Sequence, residues 1–131
     1  MNSSASKPSA PKPRVLLVDD DRLVSRLMEI AFRNSGFETY TANNGEQACE
    51  VVESNPVQLV VLDMMMPVMD GMRFLGWMRQ DNKFDIPVLV VTAMARGGNE
   101  ERIRSAGAND VLFKPVEMNT LIEHARRLLG T

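Results

Sequence analysis

The chain has 131 residues, of which 44% are hydrophobic and 24% are charged, and its formal net charge is −2. This length predicts one domain that buries its own core, and the small charge gives no electrostatic reason to bind nucleic acid or an anionic membrane. The single cysteine, Cys49, excludes an internal disulfide and favours a reducing, cytoplasmic compartment.

The N-terminal segment MNSSASKPSAPKP, residues 1–13, differs in composition from the rest of the chain. It is rich in Ser, Pro and Lys and has no apolar core, which excludes a secretory signal and predicts a disordered tail. No apolar run in the sequence reaches the roughly 18 residues of a membrane span. The folded domain is therefore expected over residues 14–131.

From residue 14 onward, apolar segments alternate with segments of helical periodicity. Strands are predicted at residues 14–18, 37–42, 57–62, 86–93 and 109–114. Helices are predicted within residues 19–36, 43–55, 70–81, 99–108 and 116–130. This alternation, with strands that are almost wholly apolar, is typical of an α/β fold in which helices cover both faces of a parallel sheet.

Helical spacing also predicts which side chains face the core. In the first helix the apolar residues Leu23, Leu27, Ile30 and Ala31 fall on one face, and Gly36 marks the end of the helix. The inward residues predicted for three other helices are Ala48, Val51, Val52, Phe74, Leu75, Met78, Leu121, Ala125 and Leu128.

Polar side chains follow four of the strands, at the point where each strand ends. Three aspartates at residues 19–21 follow the first strand, and Asp63 follows the third. Thr92 ends the fourth strand, and Lys114 ends the fifth. Because ligands of an open parallel sheet bind beyond the carboxyl ends of its strands, we expect these side chains to share one pocket.

This set of polar groups suits phosphoryl transfer to a carboxylate. Clustered carboxylates raise one another's pKa, and Mg²⁺, which prefers oxygen ligands, relieves their repulsion. A lysine can pair with a carboxylate or a phosphoryl group, a threonine hydroxyl can donate to a phosphoryl oxygen, and an aspartate can be the nucleophile. Positioning and charge neutralisation would then provide most of the rate enhancement.

Each of these residues also has an ordinary structural interpretation. Asp20 or Asp21 could cap the first helix, and Asp63 could be a turn residue. Thr92 alone would be strand-end polarity, and Lys114 alone would be a solvated lysine. Their joint occurrence, each at the end of its own strand, favours the functional interpretation.

Other conspicuous residues are given structural roles. His124, the single histidine, is predicted to be solvated and to have no partner for metal or triad chemistry. Cys49 and Trp77 are predicted to pack, and the methionines within residues 64–69 to form adaptable apolar cover around the pocket. Residues 97–98, Gly-Gly, are a loop or a hinge before the fourth helix.

Four motifs together resemble the receiver domain of two-component response regulators. They are VLLVDDD at residues 15–21, VVLDMMMPVMDG at residues 60–71, VLVVTA at residues 88–93 and the pair Lys114-Pro115. The resemblance spans residues 14 to 129. It implies a doubly wound, flavodoxin-like sheet of five parallel strands in the order 2-1-3-4-5.

The resemblance also implies a magnesium-dependent phosphoacceptor. Asp63 would accept a phosphoryl group from the phosphohistidine of a histidine kinase or phosphotransfer protein. Mg²⁺ would be held by Asp20 directly, by Asp19 through water, by Asp63 itself and by the backbone carbonyl of Met65. Because Met65 would contribute only its carbonyl, its side chain is compatible with the site.

Two further residues have implied roles in the family. Thr92 would move toward the phosphoryl oxygens after transfer, and Lys114 would contact Asp63 before transfer and the phosphoryl group after it. The Lys114–Pro115 peptide would be cis, a form that proline makes accessible. The signalling face would comprise helix four, strand five and helix five, roughly residues 98–129. It would bind a downstream protein or a second copy of the chain, and it carries four arginines at 102, 104, 126 and 127.

The sequence departs from the family pattern at a few positions. Val111 stands three residues before Lys114, where the family often has a switch Tyr or Phe. Met65 and Met94 stand two residues after Asp63 and Thr92, at positions that tune phosphoryl hydrolysis in the family. Because thioether side chains cannot position the attacking water well, slow hydrolysis is expected.

Three other functions remain as alternatives. A phosphorylation-independent pseudo-receiver scaffold usually lacks an acid, the threonine or the lysine, and here all are present. A phosphohydrolase with an aspartate nucleophile would place a second aspartate at position 65, where this chain has Met65. A nucleotide-binding protein is disfavoured because no glycine-rich loop follows the first strand. At most, intrinsic self-phosphorylation and autodephosphorylation are expected, and the chain is not predicted to be an enzyme.

Overall fold

The computed structural model describes residues 11–94 and 97–130, which form one five-stranded parallel sheet with helices on both faces. The strands are β1 (Arg14–Val18), β2 (Glu38–Ala42), β3 (Leu59–Leu62), β4 (Val88–Thr92) and β5 (Asp110–Phe113). The helices are α1 (Arg22–Asn34), α2 (Gly45–Ser54), α3 (Gly71–Gly76), α4 (Asn99–Ser105) and α5 (Met118–Leu129). The strand order β2-β1-β3-β4-β5 confirms the expected doubly wound fold.

Strand register sets the relative height of the strand ends. Val18 lies opposite Leu62, so the residues that follow β1 and β3 emerge side by side. Thr92 lies opposite Phe113, so Lys114 follows directly beyond the end of β4. The carboxyl ends of four strands therefore meet at one edge, as expected for parallel pairing.

The core has two layers, one on each face of the sheet. On one face, α1 and α5 cover alternate side chains of β1, β3 and β4. On the other, α2, α3 and α4 cover the remaining ones. The three inner strands, β1, β3 and β4, are buried on both sides, which explains why their sequences are apolar at nearly every position.

The prediction for the apolar face of α1 is wrong for three of its four residues, and only Ala31 packs against the core as predicted. Leu23, Leu27 and Ile30 are 69%, 48% and 43% exposed. Instead Met28 and Phe32 are buried against the sheet, and the ring of Phe32 meets that of Phe37 edge-on at 5.0 Å. Two neighbouring stripes of α1 are apolar, and the one that contains the larger aromatic side chain packs against the sheet.

The other predicted inward faces agree with the structure. Among these residues only Val51 and Leu128 are partly exposed, and Ala48, Val52, Phe74, Leu75, Met78, Leu121 and Ala125 are buried. Cys49 is buried, and Trp77 stacks on Phe74 with ring centroids 5.8 Å apart, so both pack as predicted.

The third helix extends to residue 81 as predicted, but its last five residues are not α-helical. After Gly76 it continues as a π-helical segment over Trp77–Asp81. Arg79 in this segment donates hydrogen bonds to the carbonyl oxygens of Gly107 and Phe84 and to Asn109 Oδ1, at 3.0, 2.7 and 3.0 Å. One arginine thus ties α3 to the loop that leads from α4 into β5.

The predicted tail lies almost wholly outside the described residues, which begin at residue 11. Its last residue, Pro13, accepts a hydrogen bond at 2.9 Å from the backbone N–H of Glu38. The boundary of the domain at residue 14 stays a prediction. Within residues 11–94 and 97–130, no helix combines the length and the apolar character needed to cross a membrane.

Candidate functional site

The two central strands place a pair of buried aspartates beside each other. The backbone N–H of Asp19 donates to the carbonyl of Ala42, and that of Asp63 donates to the carbonyl of Val18, at 3.1 and 3.0 Å. These bonds extend the pairing of β1 by one residue on each side. Asp19 and Asp63 are only 2% and 6% exposed, so both carboxylates are largely removed from water.

Lys114 brings one positive charge to these two acids. Its Nζ lies 2.9 Å from Asp19 Oδ2 and 3.8 Å from Asp63 Oδ2. Its backbone N–H donates to the carbonyl of Thr92 at 2.7 Å, and its peptide bond to Pro115 is cis, as the resemblance implied. The ammonium group is therefore closest to Asp19 in this structure, rather than to Asp63.

The electrostatics of the site are incompletely balanced. Burial raises the pKa of Asp63 above its ordinary value, and the charges of Asp19 and Asp20 raise it further, against the opposing effects of the Met65 N–H and Lys114. Burial alone lowers the pKa of Lys114, but the hydrogen bond to Asp19 and the negative charges of Asp63, Asp19 and Asp21 outweigh it, so this pKa is raised. One ammonium group faces three carboxylates, which leaves excess negative charge.

The aspartates offer the oxygen ligands of a divalent cation. One carboxylate oxygen from each of Asp19, Asp20 and Asp63 lies within 4.8 Å of the others. Hard oxygen donors with excess negative charge fit Mg²⁺. The third aspartate of the run does not join them, because Asp21 Oδ1 accepts the N–H groups of Leu23 and Val24 and so caps α1.

Backbone hydrogen bonds fix the residues that flank the pocket. The N–H of Met65 donates to Asp63 Oδ1 at 3.2 Å. The N–H of Met94 donates to the hydroxyl of Thr92 at 3.2 Å, and Thr92 is fully buried. Met65 and Met94 are thus each hydrogen-bonded to the side chain two residues before them, that of Asp63 or Thr92.

Beside the acids is an open cavity of about 610 Å³. It is lined by Asp20, Met64, Met65, Met66, Pro67, Asp70, Met72, Met94 and Arg102. The methionines after Asp63 therefore do provide apolar cover for the pocket, as predicted, except Met69, which packs against Cys49. Sequence reasoning assigned Arg102 to the signalling face only and missed its place in this cavity.

A close backbone contact supports the loop that carries Asp63. A Cβ atom on Gly71 would lie 2.7 Å from the carbonyl oxygen of Asp63 and 2.7 Å from Met64 Cα. The N–H of Gly71 donates to the carbonyl of Met64 at 3.1 Å. The start of α3 therefore packs directly on the phosphoacceptor candidate's own backbone, a role that the Asp-Gly pair could have suggested.

A second desolvated carboxylate lies at the start of β5, where the prediction for His124 is wrong. Nδ1 of His124 lies 2.6 Å from Asp110 Oδ2, and the ring is mostly buried. Arg104 Nη2 lies 3.0 Å from Asp110 Oδ1, and the N–H of Val111 donates to the same oxygen at 2.9 Å. We call Asp110, His124 and Arg104 the β5 cluster, and it links α4, β5 and α5.

The strand order and the acidic pocket at the carboxyl edge define a flavodoxin-like protein with a candidate cation site at its topological switch point. The family model of the response regulator receiver domain matches residues 15–126. The chain therefore belongs to this family, whose members are generally signalling switches rather than catalysts.

Similar proteins support this assignment. The polar-differentiation response regulator DivK of Brucella anthropi is 32% identical over 117 residues, which make up 88% of this chain and 95% of DivK. The receiver domain of a Francisella response regulator has a TM-score of 0.86 and 29% identity, and the match covers 91% of this chain and 98% of that one. The chemotaxis response regulator CheY4 of Vibrio cholerae has a TM-score of 0.83 and 25% identity, and the match covers 90% of this chain and 99% of CheY4.

Proposed function

We propose that this chain is a phosphorylation-dependent signalling switch in which Asp63 is the phosphoacceptor. The observation that carries the proposal is the position of Asp63, buried at the carboxyl edge, 3.8 Å from Lys114 and beside Asp19 and Asp20. Burial, and after it the charges of Asp19 and Asp20, raise the pKa of Asp63 despite the Met65 N–H and Lys114. Perturbed acids of this kind are typical of functional sites.

The donor would be the phosphohistidine of a histidine kinase or phosphotransfer protein. An oxygen of Asp63 forms a bond to phosphorus while the bond from phosphorus to the histidine nitrogen breaks, and the nitrogen keeps the electron pair. Asp20, Asp63, the carbonyl of Met65 and, through water, Asp19 would hold Mg²⁺, which supplies charge neutralisation at the phosphoryl oxygens. Lys114 would then pair with the new phosphoryl group.

The signal would reach α4, β5 and α5 by electrostatics as well as by movement of Thr92. A phosphoryl group adds negative charge next to the cavity that Arg102 of α4 lines. Residue 111 is a buried valine, and because valine has no aromatic ring, no ring movement at this position is part of the proposal. We propose that this face binds a downstream protein or a second copy of the chain, in the cytoplasm.

The alternatives have weaker support. Met65 gives a phosphohydrolase no acid or base next to its nucleophile, so at most self-phosphorylation and autodephosphorylation are proposed. A phosphorylation-independent scaffold would not need buried acids that face a lysine, because uncompensated buried charge lowers stability.

Phosphorylation by a small-molecule donor tests the proposal. Purified protein is incubated with acetyl phosphate, with Mg²⁺ or with EDTA, and intact mass is measured. We expect one phosphoryl adduct that requires Mg²⁺ and is absent in Asp63→Ala. The matched control is Asp70→Asn, because Asp70 lines the same cavity but caps α3, a role that asparagine also performs.

Two results would contradict the proposal. One is an adduct that persists in Asp63→Ala, which would place the phosphoacceptor elsewhere. The other is a correctly folded wild-type protein that takes up no phosphoryl group from acetyl phosphate or from any phosphohistidine protein tested, which would favour the scaffold.

A further inference from the structure

Methionines are concentrated around the candidate phosphorylation site. Five of the ten methionines in the chain line the cavity beside Asp20 and Arg102. Their thioether sulfurs can be oxidised to sulfoxides, which changes an apolar side chain into a polar one. A cluster of such side chains next to a charged pocket is therefore chemically sensitive to oxidants.

Two of these methionines are best placed to act on the site. Met65 is 59% exposed, and its N–H donates to Asp63 Oδ1. Met94 is partly exposed, and its N–H donates to the hydroxyl of Thr92. By contrast, Met28 and Met78 are buried in the core, and Met64, although it lines the cavity, is only 3% exposed, so these three are internal controls for accessibility.

The cysteine does not compete for mild oxidants. Cys49 is buried, and burial together with the negative charge of Glu53 raises the pKa of its thiol to about 11. Because the thiolate is the reactive form, this thiol is protected near neutral pH. Oxidation of the folded protein should therefore begin at exposed methionines.

We propose that Met65 and Met94 are a redox modification site whose oxidation shortens the lifetime of phosphorylated Asp63. A peroxide transfers one oxygen atom to the thioether sulfur, the O–O bond breaks, and water or an alcohol is released. Sulfur loses two electrons and the peroxide gains them. The new sulfoxide oxygen accepts hydrogen bonds, which the thioether accepts only weakly.

The consequence for the phosphoryl group rests on the function proposed above. In hydrolysis a water oxygen bonds to phosphorus, the bond from phosphorus to the Asp63 oxygen breaks, and the carboxylate leaves with the electron pair. A sulfoxide acceptor at the mouth of the site can orient this water. One such hydrogen bond corresponds to an increase in hydrolysis rate of about two- to tenfold.

The first experiment maps the modification and does not depend on phosphorylation. Folded protein is treated with increasing hydrogen peroxide, and methionine sulfoxide is quantified by peptide mapping. Met65 and then Met94 should be oxidised at doses that leave Met28, Met64 and Met78 intact. Oxidation of the buried methionines at the same doses, or protection of Met65, would overturn the proposed site.

The second experiment measures phosphoryl lifetime. Protein phosphorylated with acetyl phosphate is freed of donor, and loss of the adduct is followed with and without prior peroxide. Peroxide should shorten the half-life in the wild type, and methionine sulfoxide reductase should restore it. The half-life of the adduct is measured separately for the double variant Met65→Leu, Met94→Leu, and peroxide should not change it.

A further variant mimics the polarity of the oxidised state. Met65→Asn with Met94→Glu should shorten the half-life without peroxide. The proposal fails if oxidation leaves the half-life unchanged, or changes it equally in the double-leucine variant. If unoxidised wild-type protein takes up no phosphoryl group, the proposed function fails and the kinetic effect with it, while the mapping result still decides the modification site.

Discussion

Asp63 lies at the carboxyl edge of the sheet, and Asp110 lies at the start of β5. These two desolvated aspartates differ in how far the protein compensates their charge. Asp63 shares one lysine, at 3.8 Å, with Asp19, and burial keeps the pKa of Asp63 raised. Asp110 contacts His124 and Arg104 at 2.6 and 3.0 Å. Burial alone raises the pKa of Asp110, but the hydrogen bonds from His124, the Val111 N–H and Arg104 lower it overall.

The difference separates a structural role from a reactive one. A carboxylate with enough hydrogen-bond donors contributes stability and has little capacity left for a ligand. A carboxylate with too few donors reduces stability, but it can bind a cation and accept an electrophile. The β5 cluster therefore stabilises the contact between β5 and the helices beside it, whereas the acidic pocket retains free capacity for Mg²⁺ and a phosphoryl group.

The largest effect is expected from the backbone contact beneath Asp63. Gly71→Ala places a Cβ 2.7 Å from the carbonyl oxygen of Asp63, so α3 must shift, and the free energy of unfolding should fall by about 3 kcal/mol. The control is Gly76→Ala in the same helix, where a Cβ meets nothing within 4 Å and a gain of about 0.5 kcal/mol is expected. Urea denaturation of both variants checks this, and equal stabilities would show that the Gly71 contact is not limiting.

The comparison of Asp63 with Asp110 predicts that replacing each by asparagine changes the free energy of unfolding in opposite directions. Asp110→Asn weakens the contacts with His124 and Arg104 and should lower the free energy of unfolding by about 2 kcal/mol. Asp63→Asn removes a poorly compensated charge and should raise it by about 1 kcal/mol in EDTA. Chemical denaturation near pH 7 measures both. A loss of stability in Asp63→Asn would mean that its charge is better compensated than the geometry indicates.

Sequence was sufficient for the features that follow from local periodicity and strand ends. The alternation of strands and helices, and the resemblance of residues 15–21 and 60–71 to receiver domains, predicted the fold. Because carboxyl ends of parallel strands converge, the meeting of Asp19, Asp63 and Lys114 could also be predicted. Their roles in phosphoryl transfer remain predictions.

Features that depend on packing between elements were not predictable. Helix α1 has two adjacent apolar stripes, and the one with Met28 and Phe32 is buried through contacts with the sheet and with Phe37, which are distant in sequence from most of the helix. His124 and Asp110 lie 14 residues apart on different elements, so neither residue shows locally that they meet. The three hydrogen bonds of Arg79 likewise join segments that approach only in the folded chain.

Magnesium should reduce the difference in charge compensation between Asp63 and Asp110, because it supplies the positive charge that the surroundings of Asp63 lack. At a Mg²⁺ concentration about ten times its dissociation constant, the free energy of unfolding should rise by about 1.4 kcal/mol. Asp20→Asn should lose most of this gain. Asp21→Asn should keep it, since Asp21 caps α1 and asparagine caps equally well. Thermal denaturation with Mg²⁺ or EDTA measures the effect, and an equal gain in Asp20→Asn would place the cation elsewhere.

The smallest expected effect is on the pH dependence of stability. The pKa of Asp63 is raised in the folded protein. Its contribution to stability is therefore fully present below the ordinary carboxyl pKa of about 4 and is lost as pH rises through the folded value. The gain in the free energy of unfolding of Asp63→Asn over wild type should therefore grow between pH 4 and pH 7, by about 1 kcal/mol or less.

The folded pKa of Asp110 is lowered, so its contribution to stability is present above about pH 4 and is lost only as pH falls through the folded value. The deficit of Asp110→Asn should thus persist from pH 7 to pH 5 and shrink below about pH 4. Urea titrations in EDTA across this range distinguish the two acids, and profiles of the same sign would contradict the assignment of one acid as compensated and the other as not.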